Sequence, residues 1–172
     1  MSKKAIRELT SSLRSRRELD TELVDLIENS ESVKIVEPSE KFKLIVADDK
    51  PVLFMRKGID VWIPTLFIVN VILNQKRKMI VPAIVVDEGA VGPITRGADV
   101  MAPGIRRIVR DFEVNDFVAV LEPNERYAIA IGIALRKSSE IVPGVKGKAI
   151  KNLNWLNDDI WSFCLECARK SG

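Results

Sequence analysis

Closely spaced turn signals divide the second half of the chain into short apolar runs, and this pattern limits the folds open to it. Four such signals lie between residues 92 and 144: Gly92-Pro93, Pro103-Gly104, Pro123-Asn124 and Pro143-Gly144. Because Gly and Pro interrupt helices and strands, the runs between them favour short strands over the longer helices of an α/β unit. From Met79 onward the pattern predicts a small all-β barrel or sandwich.

Residues 127–135 of this half alternate between bulky and very small side chains. Since successive side chains of a strand point to opposite faces, one face is predicted to fill a core. The other face is nearly bare backbone, which lets a ligand or, more often, a neighbouring protein element approach closely. The bulky set is Tyr127, Ile129, Ile131, Ile133 and Leu135, and the small set is Ala128, Ala130, Gly132 and Ala134.

The first 78 residues have the pattern of a small α+β unit. Apolar residues at helical spacing predict two helices within the first 30 residues, and Asp20 is suited to cap the second. Thr65 is suited to cap a third, strongly apolar helix over Leu66–Leu73, and the polar stretch Asn74–Lys78 predicts a domain boundary. The predicted strands are Val33–Val36, Phe42–Ala47, Pro51–Arg56 and Ile59–Ile63, with a hairpin turn at Asp48-Asp49-Lys50.

An amphipathic helix is predicted to close the chain over Asn154–Lys170, with Asn157 or Asp158 as its cap. Cys164 and Cys167 fall on or beside its apolar stripe, which indicates packing; a labile disulfide or half a zinc site are the alternatives. The predicted organisation is an amino-terminal domain over residues 1–78, a second domain over 79–156 and a helical tail over 157–172.

Composition excludes several classes of protein. The chain contains no histidine, which excludes imidazole bases, Ser-His-Asp nucleophiles and histidine-liganded zinc. None of the Gly-rich phosphate, dinucleotide or hydrolase motifs is present. The longest nearly apolar run, Val61–Leu73, is too short to span a membrane, and no secretory signal is visible. With only two cysteines, these features predict a cytoplasmic protein without membrane association.

The net charge of +3 conceals blocks of one sign. The first 17 residues carry six cations against a single acid, Glu8, and a second basic cluster lies at Lys76–Lys78. Such blocks steer polyanions onto one face of a protein, although a solvated surface with chance clustering explains them equally well.

Four glycines lie between residues 85 and 105, flanked by arginines. Glycines allow backbone N–H groups to approach a ligand that a Cβ would keep away, and guanidinium groups suit phosphate and sugar oxygens. A tight turn with solvated arginines is the alternative interpretation. The glycines are Gly89, Gly92, Gly97 and Gly104, and the arginines are Arg96, Arg106, Arg107 and Arg110.

These segments resemble a known family. Asp87–Ala90 (DEGA), Gly97–Ile105 (GADVMAPGI) and Lys148–Ile150 (KAI) resemble the PUA domain, named for pseudouridine synthases and archaeosine transglycosylases. The preceding Ile63–Leu66 (IPTL) and the following Asn154–Trp161 (NWLNDDIW) make the whole chain similar to the malignant-T-cell-amplified-sequence family. That group includes stand-alone archaeal members and the front half of ligatin-type initiation factors.

The resemblance implies an α+β protein: an amino-terminal α+β (pre-PUA) domain, a PUA β pseudo-barrel and a closing helix. It also implies an RNA-binding surface along the first PUA helix, the glycine loop and the last strand, with no catalytic residue, cofactor or metal. We add Arg106 and Arg107 from their charge. The surface implied by the family motif comprises Asp87, Gly89, Ala90, Gly97, Ala98, Met101, Ala102, Gly104, Ile105, Gly147, Lys148, Ala149 and Ile150.

One departure from the family pattern concerns the first PUA helix. Pro93 lies where relatives commonly have helix-favouring residues, and a proline inside a helix removes a backbone hydrogen bond. The sequence therefore predicts that this helix starts late, away from Asp87–Ala90.

In eukaryotic relatives of this family, the domain pairs with a density-regulated partner protein on the small ribosomal subunit, near the 3′ CCA end of a tRNA. The resemblance thus implies a non-enzymatic RNA-binding protein of translation that contacts a tRNA 3′ end, small-subunit ribosomal RNA, or both. An RNA-modification enzyme, or an accessory subunit that delivers RNA to one, is the alternative, because PUA domains are often appended to such enzymes. The roughly 78 residues before the PUA segment leave little room for a catalytic domain.

Overall fold

The computed structural model describes residues 1–171 of the chain. Three helices and a four-stranded antiparallel sheet in the order β1-β2-β3-β4 form its amino-terminal half. The helices are α1 (Lys3–Arg14), α2 (Thr21–Glu28) and α3 (Leu66–Lys76). The strands are β1 (Val33–Val36), β2 (Phe42–Ala47), β3 (Lys50–Arg56) and β4 (Ile63–Pro64).

Local signals in the sequence account for most boundaries in this half. The Asp20 carboxylate accepts the N–H of Glu22 at 2.8 Å and caps α2, as predicted. Thr65 Oγ1 accepts the N–H of Ile68 at 3.0 Å and caps α3, also as predicted. Asp48 and Asp49 both have positive φ, at 46° and 66°, which is the geometry of a tight hairpin turn and confirms that prediction.

The predicted strand over Ile59–Ile63 is wrong, because only Ile63 and Pro64 pair with β3. Gly58 has a φ of 87°, and the N–H of Ile59 donates to the Arg56 carbonyl at 3.0 Å. The chain therefore turns at this point, where the apolar residues alone indicated an extended strand.

The second half forms a six-stranded sheet in the order β6-β10-β9-β8-β5-β7. All neighbours are antiparallel except β5 and β8, which are parallel. The edge strands β6 and β7 are separated in the chain only by a 3₁₀ turn at residues 102–104, so the sheet curls almost into a barrel. The strands are β5 (Ala83–Val86), β6 (Val100–Met101), β7 (Ile105–Ile108), β8 (Phe117–Leu121), β9 (Ala128–Ala134) and β10 (Lys148–Trp155).

Gly132 on β9 leaves room for the backbone of the adjacent strand β10. A Cβ built on Gly132 would lie 1.8 Å from the carbonyl oxygen of Lys151 on β10. Both the bulky and the small residues from Ala128 to Ala134 are buried, apart from the half-buried Ile133. A protein element, rather than a ligand, thus explains the alternation, and the fold is the predicted α+β class.

The first helix of this half, α4 (Glu88–Ile94), does not start late as predicted. It begins directly after Asp87, whose carboxylate accepts the N–H of Ala90 at 3.0 Å and caps it. Pro93 is tolerated because it lies one residue from the end of the helix. Its ring removes only the single backbone N–H that it would otherwise contribute.

The chain closes with α5 (Asp159–Ser171). The sequence predicted that the closing helix begins at Asn154, and this start is wrong. Strand β10 continues to Trp155, so Asn154 belongs to the sheet. Asp158 precedes α5 and accepts the N–H of Trp161 at 2.6 Å, which confirms its predicted capping role. Cys164 is fully buried in α5, where burial raises the pKa of its thiol and keeps it protonated at neutral pH.

Side chains from each half bond to the backbone of the other. The Asn70 amide on α3 exchanges two hydrogen bonds with the backbone of Ala128, at 2.8 and 2.9 Å, as another strand would. The N–H of Leu66 donates to Asn154 Oδ1 at 2.7 Å. Within residues 1–171, no helix has both the length and the apolar character needed to cross a membrane.

Candidate nucleic-acid interface

The structure brings together the three segments that the sequence predicted to form one surface. The N–H of Asp87, before α4, donates to the Gly104 carbonyl at 3.0 Å. The N–H of Ala102 donates to the Gly147 carbonyl at 2.8 Å, just before β10. Met101 on β6 is the pairing partner of Lys148 on β10. We call this region, residues 87–90, 97–107 and 147–150, the glycine-loop surface.

Most of the predicted residues reach solvent, but three do not. Ala102, Ala149 and Ile150 are buried, and Ala149 and Ile150 have no exposed area. Their side chains therefore pack in the core, and we correct the predicted surface by leaving them out. The half-buried residues are Ala90, Gly97, Gly104, Ile105 and Gly147. The exposed residues are Asp87, Gly89, Ala98, Met101, Arg106, Arg107 and Lys148.

Gly97 is required at its position for two reasons. Its φ is 98°, a conformation that residues with a side chain rarely adopt, and a Cβ at this position would lie 2.8 Å from the ring of Trp155. The glycine loop thus lies directly against the Trp155 indole. On the amino-terminal half, the Arg56 guanidinium lies 5.3 Å from the centre of the same ring.

Asn152 on β10 holds the glycine loop in place through hydrogen bonds. The sequence did not indicate this residue. Its side-chain NH₂ donates to the carbonyls of Ile94 and Ala98, each at 3.0 Å, and its backbone N–H donates to Asp99 Oδ1 at 2.9 Å. These bonds join the end of α4 to the residues after Gly97. No local signal singles it out, because β10 contains four polar residues and only the structure shows which of them are buried and bonded.

The cations near the surface differ in their partners. The Arg106 guanidinium donates to the Pro123 carbonyl at 2.7 Å, so a neutral group holds it and its charge is not compensated. Arg107 forms an ion pair with Glu125, and Lys148 forms one with Asp99 at 3.1 Å.

Arg136, which the sequence analysis also missed, donates to two backbone carbonyls beside the surface. Its bonds to the carbonyls of Lys146 and Lys148 measure 2.8 and 3.1 Å. A Cβ on Gly147, whose φ is 94°, would lie 2.8 Å from this guanidinium. Arg136 therefore fixes the chain just before β10, and Gly147 leaves the room it needs.

The arrangement suits the binding of phosphate and sugar oxygens. Exposed backbone next to small residues, with uncompensated guanidinium groups beside it, presents hydrogen-bond donors to phosphate and sugar oxygens. Over residues 1–171, no group of three His, Cys, Asp or Glu side chains is placed to hold a metal ion.

Comparisons with known proteins identify a domain in this chain and several relatives. Residues 82–156 match the family description of the PUA domain. An uncharacterised protein of Methanocaldococcus jannaschii is 40% identical over 119 residues, which cover 69% of each chain. In the crystal structure of a hypothetical protein from Pyrococcus horikoshii, 32% identical, the match covers 95% of this chain and 97% of that one, with a TM-score of 0.80.

Two eukaryotic relatives carry informative names. Translation machinery-associated protein 20 of Saccharomyces cerevisiae is 32% identical over 69% of this chain and 65% of its own length. Malignant T-cell-amplified sequence 1 of Rattus norvegicus is 29% identical over 63% of this chain. The match spans 59% of the length of the rat protein.

Proposed function

Because this chain belongs to the family of PUA-domain proteins that includes the malignant T-cell-amplified sequence proteins, we propose that it binds RNA and acts in translation without being an enzyme. The name of the yeast relative supports a role with the translation machinery. The observation that carries the proposal is the convergence of α4, the glycine loop and the start of β10 on one exposed surface.

The RNA partner we propose is the single-stranded 3′ CCA end of a tRNA on the small ribosomal subunit. A single-stranded end presents ribose hydroxyls and unstacked bases, which backbone groups and small side chains can read. Met101, of which 46% is exposed, offers apolar surface to a base, while Arg106 and Lys148 lie close enough to the loop to meet phosphates. The contacts are few, so the affinity is expected to be modest and dependent on salt.

A density-regulated type of protein is the protein partner we propose, and the cytoplasm is the location. Both follow the family resemblance, and the match spans only part of the eukaryotic relatives. Affinity capture from native lysate, with the density-regulated type of protein and the small ribosomal subunit as the two readouts, tests the proposed partners. Recovery of an RNA-modifying enzyme in place of the subunit would contradict this part of the proposal.

The RNA partner is tested by titrating the full chain with a tRNA and with the same tRNA lacking its last three nucleotides. We expect the intact tRNA to bind roughly tenfold more tightly, because the missing nucleotides carry the stacking and phosphate contacts. Equal affinities would contradict the 3′ end as the target. Digestion of the tRNA after incubation adds a second readout, since a modified nucleoside formed by this chain alone would contradict a non-enzymatic role.

A further inference from the structure

A groove at the edge of the glycine-loop surface shares residues with it and lies between β7 and the loop that precedes β10. Its volume is about 550 Å³, which lies in the range typical of small-ligand sites. We call it the β7 groove. Its lining residues are Ala102, Pro103, Ile105, Arg106, Arg107, Ile108, Ile141, Val142, Pro143, Gly144, Val145 and Lys146.

The floor of the β7 groove is apolar and firmly supported. Ile105, Ile108, Ile141 and Val145 are half-buried and pack on the core of the second half of the chain. Packed aliphatic side chains make a floor that accepts the face of a flat, weakly hydrated group. This floor suits an unstacked nucleobase, whose faces are apolar and whose edges are polar.

The rim of the groove is cationic. Arg106, Arg107 and Lys146 line it and are exposed, whereas the one carboxylate bound to them is Glu125, which pairs with Arg107. Because a backbone carbonyl holds Arg106, its guanidinium keeps both its charge and a fixed position. An apolar floor with a cationic rim fits a base that is attached to phosphates, as in single-stranded RNA.

The side chains of the groove restrict which base it takes. Every described side chain that lines it is either apolar or a donor, so none of them can accept a hydrogen bond. The carbonyls of Ala102, Val142 and Lys146 already accept bonds from Ile105, Val145 and Arg136 respectively. Donors recognise acceptors, and uracil and guanine present keto oxygens where cytosine and adenine present amino groups.

We propose that the β7 groove binds one unstacked keto base, uracil or guanine, of a single-stranded RNA. The proposal rests on the RNA binding proposed above, but it concerns a different nucleotide, because a CCA end contains only amino bases. The bond from the Ala102 N–H to the Gly147 carbonyl joins the groove wall to the glycine-loop surface, so one RNA strand can cross both.

The first experiment compares two oligonucleotides that differ only in the base. The full chain is titrated with fluorescein-labelled hexauridylate and hexacytidylate at the same ionic strength, and binding is followed by fluorescence anisotropy. We expect the uridylate to bind roughly tenfold more tightly, in line with the discrimination that one well-formed arginine–base contact supplies. Equal affinities, or a preference for cytidylate, would overturn the proposal.

The second experiment assigns the preference to the groove. Arg106→Lys keeps the positive charge but loses the planar fork of donors, so the ratio of the two affinities is expected to fall toward one. Arg126→Lys is the matched control, because Arg126 is an exposed arginine that does not line the groove, and it should keep the full ratio. An unchanged ratio in Arg106→Lys would overturn the assignment. Thermal unfolding confirms that both variants are folded.

The two proposals fail in different ways. A preference for uridylate without any effect of removing the CCA end overturns the 3′-end target and supports the groove. An effect of the CCA end without a base preference overturns the groove alone. Absence of binding to every RNA tested overturns both.

Discussion

Two basic regions of this chain use their positive charges in different ways. At the junction of α2 and α3, the cations meet carboxylates: Lys76 pairs with Glu22, and Lys78 pairs with Asp20 at 2.9 Å. The sequence identified Lys76–Lys78 as a basic cluster of the kind that steers polyanions. Because these two lysines face acids of the neighbouring helix, their charges act within the fold.

Beside the glycine loop, two guanidinium groups instead meet neutral carbonyls, whereas Arg107 pairs with Glu125. Arg106 donates to Pro123, and Arg136 donates to Lys146 and Lys148. A carbonyl fixes the side chain without cancelling its charge, whereas a carboxylate does both. The type of group that each cation bonds to, and not the number of cations, therefore decides which region can attract RNA.

Charge reversal should have the largest effect on RNA binding, and it tests directly whether the two basic regions differ. The double variant Arg106→Glu, Arg107→Glu is expected to weaken tRNA binding by at least about tenfold, because it removes two cations and adds two repelling charges. The control, Lys76→Glu with Lys78→Glu, should stay within about threefold of the wild type, since these lysines make only surface ion pairs. Anisotropy titrations measure both, and a larger loss in the control would contradict the account.

Gly97→Ala separates the shape of the surface from its charge. The added Cβ must displace Trp155 in a backbone conformation that alanine disfavours, so we expect a loss of about 1–3 kcal/mol in unfolding free energy and several-fold weaker tRNA binding. Gly58→Ala is the control, because Gly58 also has positive φ but no atom within 4 Å of the added Cβ. Denaturant titrations and anisotropy give the two readouts. Equal RNA affinities for both variants would contradict a role for the loop shape.

The salt dependence gives a finer measure of the same difference. In Arg106→Gln, the slope of log affinity against log salt concentration should become shallower by about one, as expected for one lost phosphate contact. The same substitution at Lys78 should leave the slope unchanged. The slopes are measured from binding titrations at several salt concentrations. An equal change of slope for the Lys78 and Arg106 variants would contradict a difference between the two regions.

The smallest effect concerns pH. Burial raises the pKa of Asp20, but the Glu22 N–H and the Lys78 ammonium lower it more, so it lies below its usual value of 3.8. A lowered carboxyl pKa contributes stability at pH values above 3.8, and this is lost as pH falls through the lowered value. Lys78→Gln should therefore be slightly less stable than the wild type at pH 7, and this difference should shrink as the pH falls below 3.8. A difference that persists in acid would contradict an ionic role for Lys78.

The parts of the fold that sequence could predict depend on local chemistry. Asp20 and Thr65 cap their helices through bonds to residues two or three positions away, and the alternation around Gly132 needs only the period of a strand. The start of α4 was predicted wrongly because the sequence did not show where this helix ends, and Pro93 lies next to its last residue.

The parts of the site that sequence missed depend on distant pairs. Asn152 bonds to Ile94 and Ala98, more than 50 residues earlier, and Trp155 supports Gly97 across the same distance. No local pattern records such contacts. The burial of Ala149 and Ile150 was missed for a related reason, because neighbours on both faces of a strand become known only with the sheet order.

The most direct test of the proposed RNA-binding surface locates the residues that contact RNA. Backbone amide chemical shifts of the full chain are followed by NMR while an acceptor-stem RNA with a 3′ CCA end is added. The account predicts the largest shifts at residues 97–107 and 147–148. Small or absent shifts there, with the largest ones at Lys76–Lys78 or along α1, would contradict it.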